Sequence, residues 1–335
     1  MSRVAVVGAG SWGTTLANLL SKKGEDVQLW AYEPEVAEAI RERHVNPIYL
    51  PDIPLSPSLR ATSSLAEAVE GATVLVSVSP AQHVRRILAG IAADLPHGTL
   101  VVSASKGIET STLDTMAEVL DDILPAPVAK RASFLSGPSF ALEVAQEHPT
   151  AVAVASRSTE AAQETQALFQ TDYFRVYTNP DVRGVELGGA LKNVIALAAG
   201  MADGLGFGHN TRAALITRGL AEMARLGTAL GASPLTFAGL AGMGDLILTC
   251  TGGLSRNRQV GIRLGKGERL SAILGDMKMV AEGVETSRAA HDLALREGIE
   301  MPIVSEVYRV LFEDKPAADA VRALMLREPR PEQWQ

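Results

Sequence analysis

Three cationic motifs in this 335-residue chain lie on small or apolar backgrounds, where a charge needs a reason. Lys192 sits in Gly188-Gly189-Ala190-Leu191-Lys192-Asn193-Val194-Ile195. On a helix its neighbours three and four residues away are Gly188, Gly189, Ile195 and Ala196, so no acid nearby in sequence can pair with it. Such a lysine is buried, lies at the lip of a cleft, or snorkels over apolar surface to reach water. Burial draws an ammonium from about 10.4 toward neutrality, which lets it exchange a proton at working pH. Lys106, in Ser103-Ala104-Ser105-Lys106-Gly107, falls just past an apolar run that reads as a strand, and ligands of parallel sheets bind at that edge. A second strand-end turn, Ser136-Gly137-Pro138-Ser139-Phe140-Ala141, belongs to the same rim, although each turn alone also reads as ordinary structure. Ser255-Arg256-Asn257-Arg258 follows Gly252-Gly253 and opens a helix. A serine N-cap, free backbone N–H groups and Arg256 make either an anion site or a plain capped helix. Asp245, in Ala241-Gly242-Met243-Gly244-Asp245-Leu246, reads equally as a helix cap and as a site carboxylate.

A fourth motif has no charge. Val4–Val7, Gly8-Ala9-Gly10-Ser11-Trp12-Gly13 and the helical pattern from Thr14 form a strand, a turn and a helix. In that context the glycine spacing predicts a dinucleotide site. Gly8 permits the turn, Gly10 exposes backbone to a pyrophosphate, and Gly13 lets the helix lie on the strand. The second strand ends in Trp30-Ala31-Tyr32-Glu33-Pro34. Glu33 stands 20 residues after Gly13, the spacing at which an acid accepts from an adenine-ribose 2′-hydroxyl. A carboxylate there repels a 2′-phosphate and favours NAD over NADP. The alternative is that Glu33 merely begins the next helix, where acids are favoured.

The elements that must carry these motifs follow from patterning. Short β-branched runs at Arg3–Val7, Val27–Ala31, Thr73–Val78, Thr99–Ser103, Ser133–Ser136 and Ala151–Ala155 read as buried strands. Helical patterns at Thr14–Lys23, Pro34–His44 and Gln82–Ala93 lie between them, and Asn46–Ser58, with four prolines, reads as a loop. The alternation predicts an α/β fold with a mostly parallel sheet, a Rossmann-type N-terminal domain over residues 1–180. From Asp181 onward only long Ala/Leu-rich periods occur, which predicts an all-helical C-terminal domain over residues 181–335. A net charge of −7 with no basic tract argues against nucleic acid. Cys250 is the single cysteine, which fits a reducing compartment; it has no metal-ligand spacing around it, and the six histidines are scattered. The apolar stretch at Asn193–Ala202 is shorter than the ~20 residues of a membrane span, so the expectation is a cytoplasmic protein without an integral membrane segment.

Taken together, Gly8–Gly13, Ser105–Gly107, Ser136–Ala141, Gly188–Asn193, Ala241–Leu246 and Ser255–Asn257 resemble, in order and over nearly the whole chain, the bacterial-type NAD(P)-dependent glycerol-3-phosphate dehydrogenases. The resemblance implies a 6-phosphogluconate-dehydrogenase-like fold and a homodimer. It also implies reversible reduction of dihydroxyacetone phosphate to sn-glycerol 3-phosphate, the precursor of glycerophospholipids. By resemblance, Lys192 is the proton donor and acceptor at the C2 oxygen, and Lys106 touches substrate and cofactor. Gly137 and Ser139 line the substrate pocket, Asp245 orients Lys192 or the substrate hydroxyls, and Ser255, Arg256 and Asn257 hold the phosphate. Ser11, Trp12, Tyr32, Tyr49, Ala141, Arg256, Val280 and Glu282 are the implied cofactor contacts. Relatives often carry a basic residue at the positions of Tyr32 and Glu33, and this chain does not, so the expected cofactor is NAD or NADP with a modest preference for NAD. Two other readings compete: a 3-hydroxyacid or 6-phosphogluconate-type dehydrogenase, and a non-catalytic nucleotide sensor. The Ser-Arg-Asn helix start and Lys106 argue against the first, and the available Lys106, Lys192 and Asp245 argue against the second.

Overall fold

The computed structural model describes residues 2–277, 280–329 and 331–332. Its N-terminal half is one sheet of eight strands in the order β3-β2-β1-β4-β5-β6-β7-β8. These are β1 Arg3–Val7, β2 Asp26–Trp30, β3 Arg60–Thr62, β4 Val74–Ser77, β5 Leu100–Ser103, β6 Ser133–Ser136, β7 Thr150–Ser156 and β8 Phe174–Asn179. All neighbours are parallel except β6 and β7. The order reverses direction at β1, so the crevice for a ligand opens at the carboxyl ends of β1 and β4. Apolar side chains alternate along β1: Val4 and Val6 enter the core on one face, and Ala5 and Val7 enter the core on the other. That two-sided burial is why the strands read as continuous apolar runs.

Two strands were not expected. β3 spans only three residues. β8 is the sheet edge, and its side chains alternate between buried Phe174 and Val176 and exposed Arg175 and Tyr177, so it lacks the continuous apolar run of a central strand.

The remainder is helical and wraps a central helix, Val182–Gly204. Asp181 caps it, accepting from Gly184 N at 2.9 Å, and its second carboxylate oxygen accepts from Ser233 N and Thr236 Oγ1. The central helix is apolar all round because helices surround it. It carries the apolar stretch past the length expected from sequence. Among the described residues, Val182–Gly204 and Pro234–Thr251 are each long and apolar enough to cross a membrane. The apolar window of the first is 94% buried inside the protein, as a core helix must be; that of the second is 44% buried. The second is not one regular helix, since a π-helical turn at Leu240–Gly244 interrupts it, with Gly244 N donating to Gly239 O at 3.1 Å.

Candidate active site

The glycine turn adopts the geometry its spacing demands. Gly8 has φ +119°, a conformation that side-chain-bearing residues rarely adopt, and a Cβ there would lie 3.0 Å from Ser79 N. A Cβ on Gly13 would overlap the Gly8 carbonyl oxygen, so the helix Ser11–Lys22 can start against the strand only without one. Gly10 faces open space, and no side-chain hydrogen bond caps the helix it begins. Bare backbone at an uncapped helix start suits a pyrophosphate, so these residues fit a dinucleotide.

The central helix reaches the same rim by another close approach. A Cβ on Gly188 would lie 2.5 Å from Ala241 O, and one on Gly189 would lie 2.6 Å from Ser136 Oγ. The two glycines let the helix run between the end of β6 and the π-helical turn, which places Lys192 one turn further on, at the floor of the cleft.

There Lys192 Nζ donates to Asp245 Oδ1 at 2.5 Å and to Thr249 Oγ1 at 3.0 Å. Lys106 Nζ donates to the other oxygen, Asp245 Oδ2, at 2.8 Å and to Gly137 O at 3.2 Å. Asp245 is 1% exposed. One buried carboxylate thus serves two ammoniums from two domains, and the cluster keeps one net positive charge. Burial pushes Lys192 down to about 8, Asp245 opposes that, and the Lys106 charge adds to it. Burial alone would raise the Asp245 carboxyl, but the two ammoniums overcome it and hold the group below the usual carboxylate range.

Beside the cluster, Ser255 caps the helix Arg256–Gly265, accepting from Arg258 N at 3.2 Å. Arg256 extends from that start at the cleft wall. Asn257 Nδ2 donates to Asn193 Oδ1 at 2.8 Å, and Asn257 Oδ1 accepts from Gly283 N at 2.9 Å. This amide chain joins the start of the helix to the residue after Lys192.

The cleft measures about 410 Å³. It brings together Ser11, Trp12, Tyr49, Lys106, Ser139, Ala141, Lys192, Ser255, Arg256, Asn257, Val280 and Glu282 of the expected residues. Gly137 and Asp245 lie behind this lining and reach it through Lys106 and Lys192. Glu282 accepts from Ala81 N at 3.3 Å, a link between the helical half and the sheet half. Burial pushes its carboxyl up to about 7. Tyr32 and Glu33 are outside the lining. Tyr32 is 74% exposed and packs edge-on to Trp30, 6.3 Å between centroids. Glu33 stands at the N-cap position of the helix Pro34–Arg43, but its side chain makes no capping bond and instead accepts from Tyr49 Oη at 2.7 Å. Asn193 and Thr249 also line the cleft and were missed by local pattern, although Thr249 follows Asp245 by one helical turn and so shares its face.

A family model for the N-terminus of NAD-dependent glycerol-3-phosphate dehydrogenase matches residues 3–162, and the model for its C-terminus matches residues 181–322. The chain belongs to the NAD-dependent glycerol-3-phosphate dehydrogenase family. It is 62% identical over 330 residues, 98% of each chain, to the glycerol-3-phosphate dehydrogenase [NAD(P)+] of Geobacter metallireducens. It is 54% identical to that of Myxococcus xanthus, again over 98% of each chain. The crystal structure of the Coxiella burnetii glycerol-3-phosphate dehydrogenase superposes with a TM-score of 0.92 at 38% identity, covering 97% of this chain and 99% of that one. A ketopantoate reductase from Ralstonia eutropha superposes with a TM-score of 0.61 at 15% identity and covers 95% of this chain and 99% of that one, a likeness of fold alone. In this dehydrogenase the mostly parallel sheet followed by helices is the architecture expected from sequence.

Proposed function

We propose that the cleft reduces dihydroxyacetone phosphate to sn-glycerol 3-phosphate, reversibly, with NAD(P)H, and that the product feeds glycerophospholipid synthesis. The observation that carries the reading is the Lys106–Asp245–Lys192 cluster beside the Ser255–Arg256–Asn257 helix start. A bound reduced nicotinamide supplies the hydride. As hydride reaches C2, negative charge grows on the C2 oxygen. A charged Lys192 would stabilise that oxygen and supply the proton that completes the alcohol. Asp245 holds the ammonium in place, and Lys106 shares the carboxylate, which makes the Lys192 proton easier to release. Arg256 and the helix start hold the substrate phosphate, and the binding energy of that remote group orients the reacting carbon. We assign residues 1–180 to cofactor binding and 181–335 to substrate binding, and place the enzyme in the cytoplasm as a homodimer. The single, buried Cys250 supports a reducing compartment. Glu33 supports a preference for NAD, because it stands at the end of β2 with its carboxylate held by Tyr49.

The deciding assay follows oxidation of NADH and of NADPH with dihydroxyacetone phosphate and, in parallel, with a panel of ketoacids. Turnover of the phosphorylated ketone alone is the expected result, and turnover of the acids alone would overturn the reading. In the same assay Arg256→Ala is expected to raise KM for dihydroxyacetone phosphate at least about tenfold, the loss of a charge-assisted hydrogen bond, and to change kcat less. An unchanged KM would place the phosphate elsewhere.

The pH dependence has a defined sign. Reduction needs Lys192 charged, so kcat/KM for the ketone should be level below about 8 and fall as pH rises through about 8. Oxidation of sn-glycerol 3-phosphate needs it neutral and should rise through the same range. Profiles from pH 6 to 10 in both directions check this, and parallel rather than opposed profiles would remove Lys192 from the proton step.

A further inference from the structure

The irregular segment after the second helix is tied to the glycine turn and to the end of β2 at one residue. Ser11 Oγ donates to Tyr49 O at 2.6 Å, which fixes the Tyr49 backbone to the first residue of the cofactor helix. Tyr49 N donates to Asn46 Oδ1 at 3.0 Å, and Asn46 Nδ2 in turn donates to Ala9 O at 2.9 Å inside the glycine turn. From that anchored backbone the phenol reaches Glu33 Oε1 at 2.7 Å. Glu33 does not cap its own helix, so its carboxylate is not committed to the backbone of that helix. A glutamate at a strand end has three rotatable bonds and ordinarily swings in water. Here one carboxylate oxygen is pinned to a tyrosine whose backbone is pinned to the phosphate-binding turn.

We infer that Tyr49 sets the choice between the two nicotinamide dinucleotides by holding the Glu33 carboxylate in place, an inference that rests on reading Glu33 as the acid that faces the adenine ribose. Oε1 accepts from the phenol, and the remaining lone pairs of the carboxylate can accept from a ribose 2′-hydroxyl. A 2′-phosphate offers two negative charges and no donor. A mobile carboxylate would turn away from it at little cost, whereas a pinned one cannot, so the latch turns a weak preference into repulsion. The phenol is suited to this. Burial pushes Tyr49 up to about 12, and the Glu33 charge adds to the effect, so the group remains a donor across the working range. Tyr49 is therefore a positioning residue that acts on selectivity through Glu33.

The test measures kcat/KM for NADH and for NADPH, with dihydroxyacetone phosphate saturating, in the full-length enzyme and in Glu33→Gln, Tyr49→Phe and the double variant. Glu33→Gln is expected to lower the NADH-to-NADPH ratio about tenfold, as one charged hydrogen bond to the ribose is weakened and the repulsion is removed. Tyr49→Phe is expected to lower the same ratio by about threefold or more while the charge remains, and the double variant should match Glu33→Gln alone, since the tyrosine has nothing left to hold. A purely structural Tyr49 would weaken both cofactors alike and leave the ratio unchanged. If Glu33→Gln shifts the ratio and Tyr49→Phe does not, the latch is wrong and the reading of Glu33 stands. If Glu33→Gln leaves the ratio unchanged, the reading of Glu33 fails and the latch with it. Fully additive effects would mean that Tyr49 meets the cofactor independently, which also overturns the latch.

Discussion

Lys192→Ala is expected to lose at least about a hundredfold in kcat for dihydroxyacetone phosphate reduction while NADH still binds, because a positioned general acid contributes roughly 10²–10⁴-fold. The variant is a clean one for a structural reason. Removing a partner from a buried ion pair usually leaves an uncompensated charge and threatens the fold. Here Asp245 keeps Lys106 at 2.8 Å, and the Thr249 hydroxyl remains within 3.3 Å of Asp245 Oδ1, so the carboxylate stays paired after the truncation. The reverse deletion, Asp245→Ala, would leave two ammoniums facing each other and confuse chemistry with stability. Steady-state rates, NADH titration by fluorescence and a melting curve together check the prediction. A rate within about tenfold of the parent, with an unchanged melt, would show that another group moves the proton. A loss of NADH binding equal to the loss of rate would show that Lys192 supports the site rather than the step.

How far the sequence foretold this site depends on the range of each interaction. The glycine turn was legible because its requirements are local: a positive φ at Gly8 and a close approach at Gly13 are settled within six residues. Lys192 was legible by a negative sign, a cation on an apolar stripe with no acid within a helical turn. Its partner was not legible from local pattern, since Asp245 lies 53 residues on and its surroundings fit a helix cap equally well; the family resemblance alone pointed to it. The pairing of Asn193 with Asn257 spans 64 residues and gave no local sign. Glu33 shows the same limit more sharply. Spacing placed it at the end of β2, but what its carboxylate does depends on Tyr49, which a loop brings back from 16 residues away. The edge strand β8 escaped for a different reason: only one of its faces is buried, so its alternation lacks the apolar run that marks the central strands.

Gly261→Ala is expected to cost about 3 kcal/mol or more of stability and to raise KM for dihydroxyacetone phosphate, although residue 261 is outside the cleft lining. The central helix carries Gly200 and Gly204, and the helix that begins at the site carries Gly261 and Gly265, the same four-residue spacing on both. The two pairs face each other. A Cβ on Gly261 would overlap Leu197 O and lie 2.9 Å from the Gly200 Cα, and one on Gly200 would overlap Arg258 O. Added methylenes in a packed core typically cost about 1–3 kcal/mol when side chains can shift. Here the obstacle is a carbonyl of a regular helix, which cannot rotate away, so the helices themselves must separate. Separation moves Ser255, Arg256 and Asn257, which stand at the start of the displaced helix, away from Lys192 on its partner. Both effects therefore have one cause and should appear together: a melting temperature lower by roughly 4 °C or more and a raised KM with a smaller change in kcat. Gly275→Ala is the control, since a Cβ there meets nothing within 4 Å, and it should change stability by less than about 1 kcal/mol. A stable Gly261→Ala with unchanged KM would mean that the helices tolerate a wider spacing, and that the glycine pairs do not set the distance between the Ser255–Asn257 helix start and Lys192.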